Sequence, residues 1–154
     1  MRRDFSSCRS RLQKRKFYPC SVYKPVWEIP GGVVEKDESP KQCCQREVGE
    51  ELGINQEIGH LLVVDYSSEK GEKTESLMFI FYGGTLTLSE IEAIQLNRNE
   101  LSEFRFFDAD ALPVEMLSAL RKRVLAAWRQ VEEGNGVYLE NQEQNRLSKV
   151  PPLK

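Results

Sequence analysis

Only one histidine and four cysteines occur among the 154 residues, and neither type falls at metal-ligand spacing. A zinc site of imidazoles and thiolates is therefore excluded as the organising element. Cys43 and Cys44 are adjacent, where a mutual bridge would be strained; with Cys8 and Cys20 they read as reduced thiols of a cytoplasmic protein. No run approaches the ~20 apolar residues of a membrane-spanning helix. Neither sign of charge dominates: 22 Lys and Arg against 24 Asp and Glu leave a net charge of −2, which supplies no general pull toward nucleic acid or an anionic membrane. What remains is a chain sized for one domain, with 40% hydrophobic and 30% charged residues.

The chemistry-bearing residues are concentrated between Gly32 and Ile54. Ser39 is a good N-cap, Pro40 suits the first helical position, and Gln42 stands where a capping box places Glu or Gln, so a helix is predicted to begin at Ser39. Cys44, Val48 and Leu52 recur at i, i+4 and i+8 as a buried stripe, and Gly53 is placed to end the helix in a left-handed conformation. On another face Glu47, Glu50 and Glu51 fall at i, i+3 and i+4, with Cβ atoms roughly 5–6 Å apart. Arg46, four residues before Glu50, offsets part of their repulsion. A hard divalent cation, Mg²⁺ or Mn²⁺, would offset more, because it takes carboxylate, carbonyl and water oxygens. Upstream, Trp27-Glu28-Ile29-Pro30-Gly31-Gly32 reads as a short strand broken by a Pro-Gly-Gly turn whose backbone can approach a ligand closely.

Read as a pattern, this stretch is Gly, five residues, Glu, seven residues, then Arg46-Glu47-Val48-Gly49-Glu50-Glu51-Leu52-Gly53-Ile54. It resembles the signature of the Nudix (MutT-like) hydrolases at every specified position. The resemblance implies an α/β fold, an α/β/α sandwich around a central mixed β-sheet. It implies metal ligation by the Gly32 carbonyl, Glu50 and Glu51, with Glu47 as a further ligand or as the base that activates water. Glu38 and Arg46 would orient the cluster. Implied too is the reaction, metal-dependent hydrolysis of the pyrophosphate bond in a nucleoside diphosphate linked to another moiety. ADP-ribose or another nucleotide-sugar leads among substrates, and a nucleoside triphosphate follows. The alternative is a Nudix-fold module that binds a nucleotide or a protein with little or no catalysis; retention of every box glutamate disfavours it. Family members also allow a homodimer, and many add a glutamate from a loop beyond the box, for which Glu100 is the candidate here.

The rest of the chain is less specific. Strands are expected at 60–66, 77–82 and 103–107, and a second amphipathic helix from Pro113 to Gly134. His60 at the start of a strand reads as an ordinary surface or packing residue. Arg121-Lys122-Arg123 reads as the solvated face of the second helix. Tyr66, Phe81, Tyr82 and Phe107 are the aromatics that could stack on a base, with Tyr23 at the pocket's edge. Residues 1–22, rich in Arg and Lys and without strand alternation, are expected to form a basic arm, 23–139 the catalytic domain, and 140–154 a mobile polar tail.

Overall fold

A computed structural model describes residues 16–17, 20–22, 26–71 and 74–144. In chain order the elements are β1 (Lys16–Phe17), β2 (Cys20–Val22), β3 (Trp27–Glu28), α1 (Pro40–Leu52), β4 (Leu61–Ser67), β5 (Ser76–Phe81), α2 (Leu88–Glu92), β6 (Leu101–Phe104), β7 (Phe107–Asp108), α3 (Ser118–Glu133) and β8 (Val137–Glu140). The strands form a mixed sheet in the order β5-β4-β8, an antiparallel sheet in the order β3-β2-β6, and the pair β1-β7. In the mixed sheet β5 runs antiparallel to β4 and β8 runs parallel to it. This is an α/β architecture with helices packed on a mixed sheet, as the sequence led us to expect.

The helix of the box forms as its residues dictate. Ser39 caps it, Gln42 closes the reciprocal capping box, Pro40 occupies the first turn, and Gly53 ends it at φ 66°. Leu52 and Cys43 are buried, while Cys44 and Val48 of the expected stripe are half-buried. Leu52 packs with Leu101, Val48, Ile54 and Phe104, which joins α1 to the β3-β2-β6 sheet. A second cluster gathers Trp27, Leu112, Met116 and Val124, and a third Leu62, Val63, Ala127 and Leu139. Val63 and Val124 are completely buried, and each contributes about 1.5–3 kcal/mol relative to exposure.

Some element bounds and one reading of charge differ from expectation. β1 pairs with β7, and β2 pairs with both β3 and β6, so residues 16–17 and 20–22, expected in a basic arm, are joined by backbone pairing to later strands. Backbone pairing across a sheet does not require the side-chain alternation that residues 1–22 lack. Glu140 ends β8 and the turn at Asn141–Gln142 is bonded to the sheet, with Asn141 N–H donating to the Tyr66 carbonyl at 2.7 Å; of the tail expected at 140–154, residues 145–154 lie outside the described residues. The helix expected from Pro113 starts at Ser118, and a short α2, capped by Thr87 and Glu90, stands ahead of β6. Finally, the basic triplet is not a solvated face. Arg121 is half-buried and donates to the carbonyls of Leu112 and Pro113, Arg123 is buried against Asp65, and Lys122 is exposed, where it meets Glu143. Sequence shows charge; only packing shows which charge has a buried partner.

Among the described residues no helix is long and apolar enough to cross a membrane.

Candidate active site

The site is built on the second half of α1, from Arg46 to Glu51, with the β3–α1 loop folded over it. Arg46 is its centre. Its Nε and Nη2 hold both oxygens of Glu38 at 2.9 and 3.1 Å, and its Nη1 reaches Glu47 at 2.8 Å and Glu50 at 3.0 Å. Nη2 also lies 3.4 Å from the Val33 carbonyl, which ties the loop to the helix. The Arg46 fork and the Glu35 N–H hold the Glu38 carboxyl down at about 2, because both bond the ionised form. The three carboxylates in turn raise the Arg46 pKa further above its ordinary value.

Gly32 lies against this group so closely that a Cβ there would run into the Glu47 carboxylate; the position demands glycine for space.

Glu51 is different. It turns away from Arg46, accepts from the Gly31 N–H, and keeps Oε2 buried with no hydrogen-bond partner. Burial, then the neighbouring charge of Glu47, push its carboxyl up to about 7, against the Gly31 N–H that favours ionisation; Glu100 and Glu28 add repulsion. Glu100 is brought there by loop contacts: Gln95 N–H donates to the Leu52 carbonyl and Asn97 N–H to the Glu51 carbonyl, stapling the loop to the end of α1. The candidate from beyond the box thus lies beside Glu51.

Of the residues singled out from sequence, Glu38, Arg46, Glu47 and Glu50 are brought together, Gly32 touches Glu47, and Glu51 stands apart at the inner edge. Among the described residues no three acidic, cysteine or histidine groups close into a metal cage, because Arg46 has drawn two of the carboxylates to itself. The donor set nevertheless suits a hard divalent cation: a buried orphan oxygen with a raised pKa marks a place where added positive charge is favourable.

Sequence reasoning missed Glu28. With Trp27 buried in the core, strand alternation sends Glu28 to the opposite face, shared with Phe104 through their common partner Cys20; Phe104 packs against α1's cluster. That alternation was the available signal.

His60 lies outside the site, exposed beside the Tyr82 ring at 5.6 Å. Of the aromatics, Phe107 packs edge-on against Trp27 at 5.1 Å and Tyr66 donates to Glu75 at 3.0 Å. Phe81 and Tyr82 line an apolar cavity of about 150 Å³ beside α1. Tyr23 lies outside the described residues. Burial raises the thiols of Cys43 and of Cys44, the latter to about 11, so neither is a nucleophile near neutral pH.

The profile of the NUDIX domain matches residues 9–128. The chain belongs to the Nudix family. It is 36% identical over 97 residues to a MutT-like protein of Streptomyces ambofaciens, covering 62% of this chain and 61% of that protein. It is 35% identical over 71 residues to diphosphoinositol polyphosphate phosphohydrolase 2 of Rattus norvegicus, covering 46% of this chain and 36% of the relative. To the CTP pyrophosphohydrolase of Escherichia coli (strain K12) it is 31% identical over 103 residues, covering 62% and 73%. Among solved structures, a UDP-X diphosphatase superposes with a TM-score of 0.58 at 25% identity, over 80% of this chain and 60% of that one. The matches thus span about three fifths of the Streptomyces protein and about a third of the rat one. The family match begins well before residue 23, in keeping with the paired β1 and β2.

Proposed function

We propose that this Nudix chain is a metal-dependent pyrophosphohydrolase that splits the phosphoanhydride of a nucleoside diphosphate joined to a second group, with ADP-ribose and other nucleotide-sugars first among substrates and nucleoside triphosphates next. The observation that carries this reading is Glu51, a partly buried carboxylate with an orphan oxygen at the edge of an acidic cluster. The names of the relatives support the bond type, since CTP, UDP-X and diphosphoinositol polyphosphates all carry phosphoanhydrides.

Glu47, Glu50, Glu51 and the Gly32 carbonyl would hold Mg²⁺ or Mn²⁺. Such an ion, when bound, neutralises diphosphate charge and acidifies water. Glu38 grips Arg46 with both oxygens, and Arg46 in turn holds Glu47 and Glu50 at fixed positions, so their orientation is set before substrate arrives. Glu47 would accept the proton of the attacking water.

The test is product release from a panel of ADP-ribose, ADP-glucose, UDP-glucose, NADH, diadenosine polyphosphates and nucleoside triphosphates with Mg²⁺, Mn²⁺ or EDTA. Metal-dependent turnover of one class is the expected result. Silence across the panel from a folded protein would overturn it in favour of a binding module.

A further inference from the structure

The cavity that Phe81 and Tyr82 line is not used by the carboxylate chemistry, yet it abuts it. Its wall includes Pro30, just before the Gly31 that bonds Glu51, and Cys44 and Val48 of α1. Glu51 follows Val48 by three residues and Cys44 by seven, so all three sit on adjoining strips of the helix. The far wall is α3, including Val124, Ala127 and Trp128. Native interiors hold few voids larger than a water molecule, so an apolar space of about 150 Å³ next to a reactive centre is the shape of a ligand seat.

We infer that this cavity seats the base of the substrate and that its size selects a single ring, making uridine or cytidine nucleotides the preferred substrates over purine ones. The inference rests on the nucleotide reading proposed above and, within it, places uridine and cytidine nucleotides ahead of ADP-ribose. An apolar protein cavity of about 150 Å³ is known to accommodate one benzene ring, which matches a pyrimidine and falls short of a fused purine. Gln56 supplies the polar recognition: its side chain lines the cavity, and among the described residues it has no hydrogen-bond partner. A primary amide offers a donor and an acceptor side by side and can turn over, so it meets the edge of either uracil or cytosine. Gly84, at φ 76°, backs this amide so closely that a Cβ would meet its nitrogen, so only glycine there leaves the amide its room.

Two measurements test this. Trp128 lines the cavity and the chain's only other tryptophan is Trp27, so in Trp27→Phe protein the emission of Trp128 reports occupancy without metal or turnover. UMP and CMP should quench it with about tenfold lower Kd than AMP or GMP. Equal or tighter binding of AMP or GMP would overturn the inference. In hydrolysis, Gln56→Leu should raise KM for UDP-glucose about tenfold and leave kcat and the melting temperature unchanged; an unchanged KM would overturn it. Val131→Phe, which fills the cavity from α3, should raise KM likewise, and an unaffected KM in this folded variant would also count against the seat. Quenching by UMP without hydrolysis of any substrate would instead retain the seat and overturn the proposed activity. Equal turnover of purine and pyrimidine substrates would retain the activity and overturn the seat.

Discussion

Two arginines organise two carboxylate networks in this molecule, and they are balanced in opposite ways. Arg123 meets one acid. It donates to Asp65 at 2.5 Å and to Ser67 at 2.8 Å, while Gln142 covers both oxygens of Asp65 at 3.0 Å through its backbone and side-chain N–H groups. Asp65 is fully buried. Burial by itself would raise its pKa, but the bonds from Gln142 and Arg123 outweigh that and hold it below the ordinary value. Arg46 meets three acids, and a fourth, Glu51, is left with an unsatisfied oxygen. A buried network in which every group is paired rigidifies a fold, whereas one with surplus charge of one sign stores a demand for a ligand. The first network latches the end of β8 to α3; the second is where chemistry is placed.

The sharpest way to break this comparison is Asp65→Ala, which leaves Arg123 buried and uncompensated. It should cost about 3–5 kcal/mol in denaturant unfolding, while folded protein keeps its metal dependence. A loss below ~1 kcal/mol would show that the buried pair is no latch. Next in size, Glu50→Gln or Glu51→Gln should lower kcat by at least ~10²-fold; turnover near the unaltered level in both would remove the carboxylates from the reaction.

Stability should move the other way at Glu51. Its folded pKa, about 7, lies above the ordinary 4.5, so ionising it opposes folding. The cost is absent below about pH 4.5, grows as pH rises, and is complete above pH 7. Glu51→Gln in EDTA at pH 8 should therefore stabilise by about 1–2 kcal/mol once partial exposure is discounted, with no gain at pH 4. Equal melting temperatures of the two proteins at pH 8 would contradict the orphan-carboxylate reading. Asp65 shows the reverse pH dependence. Its lowered pKa adds stability that is present above the unfolded value and lost as pH falls through the folded one, so Asp65→Asn should flatten the acid limb below about pH 4. The smallest effect is at the cap: Ser39→Ala should cost about 1 kcal/mol, and an activity loss larger than that cost explains would mean that the cap also positions the loop carrying Glu38.

By itself the sequence determined the helix Pro40–Leu52 and its Ser39 and Gly53 ends, because caps and helical spacing are local properties that act within a few residues. It also announced the strands at 60–66 and 77–82 through their composition. It could not announce that β2 sits between β3 and β6, that Arg123 answers Asp65 across 58 positions of chain, or that Glu28 and Glu100 lie beside Glu51. Those are partnerships between segments far apart in sequence, decided by which surfaces pack together. Nor does spacing along a helix say whether three glutamates face one another or turn onto an arginine: rotamers and the loop from Gly31 to Glu38 settle that, and here they leave Glu51 alone with the demand for charge.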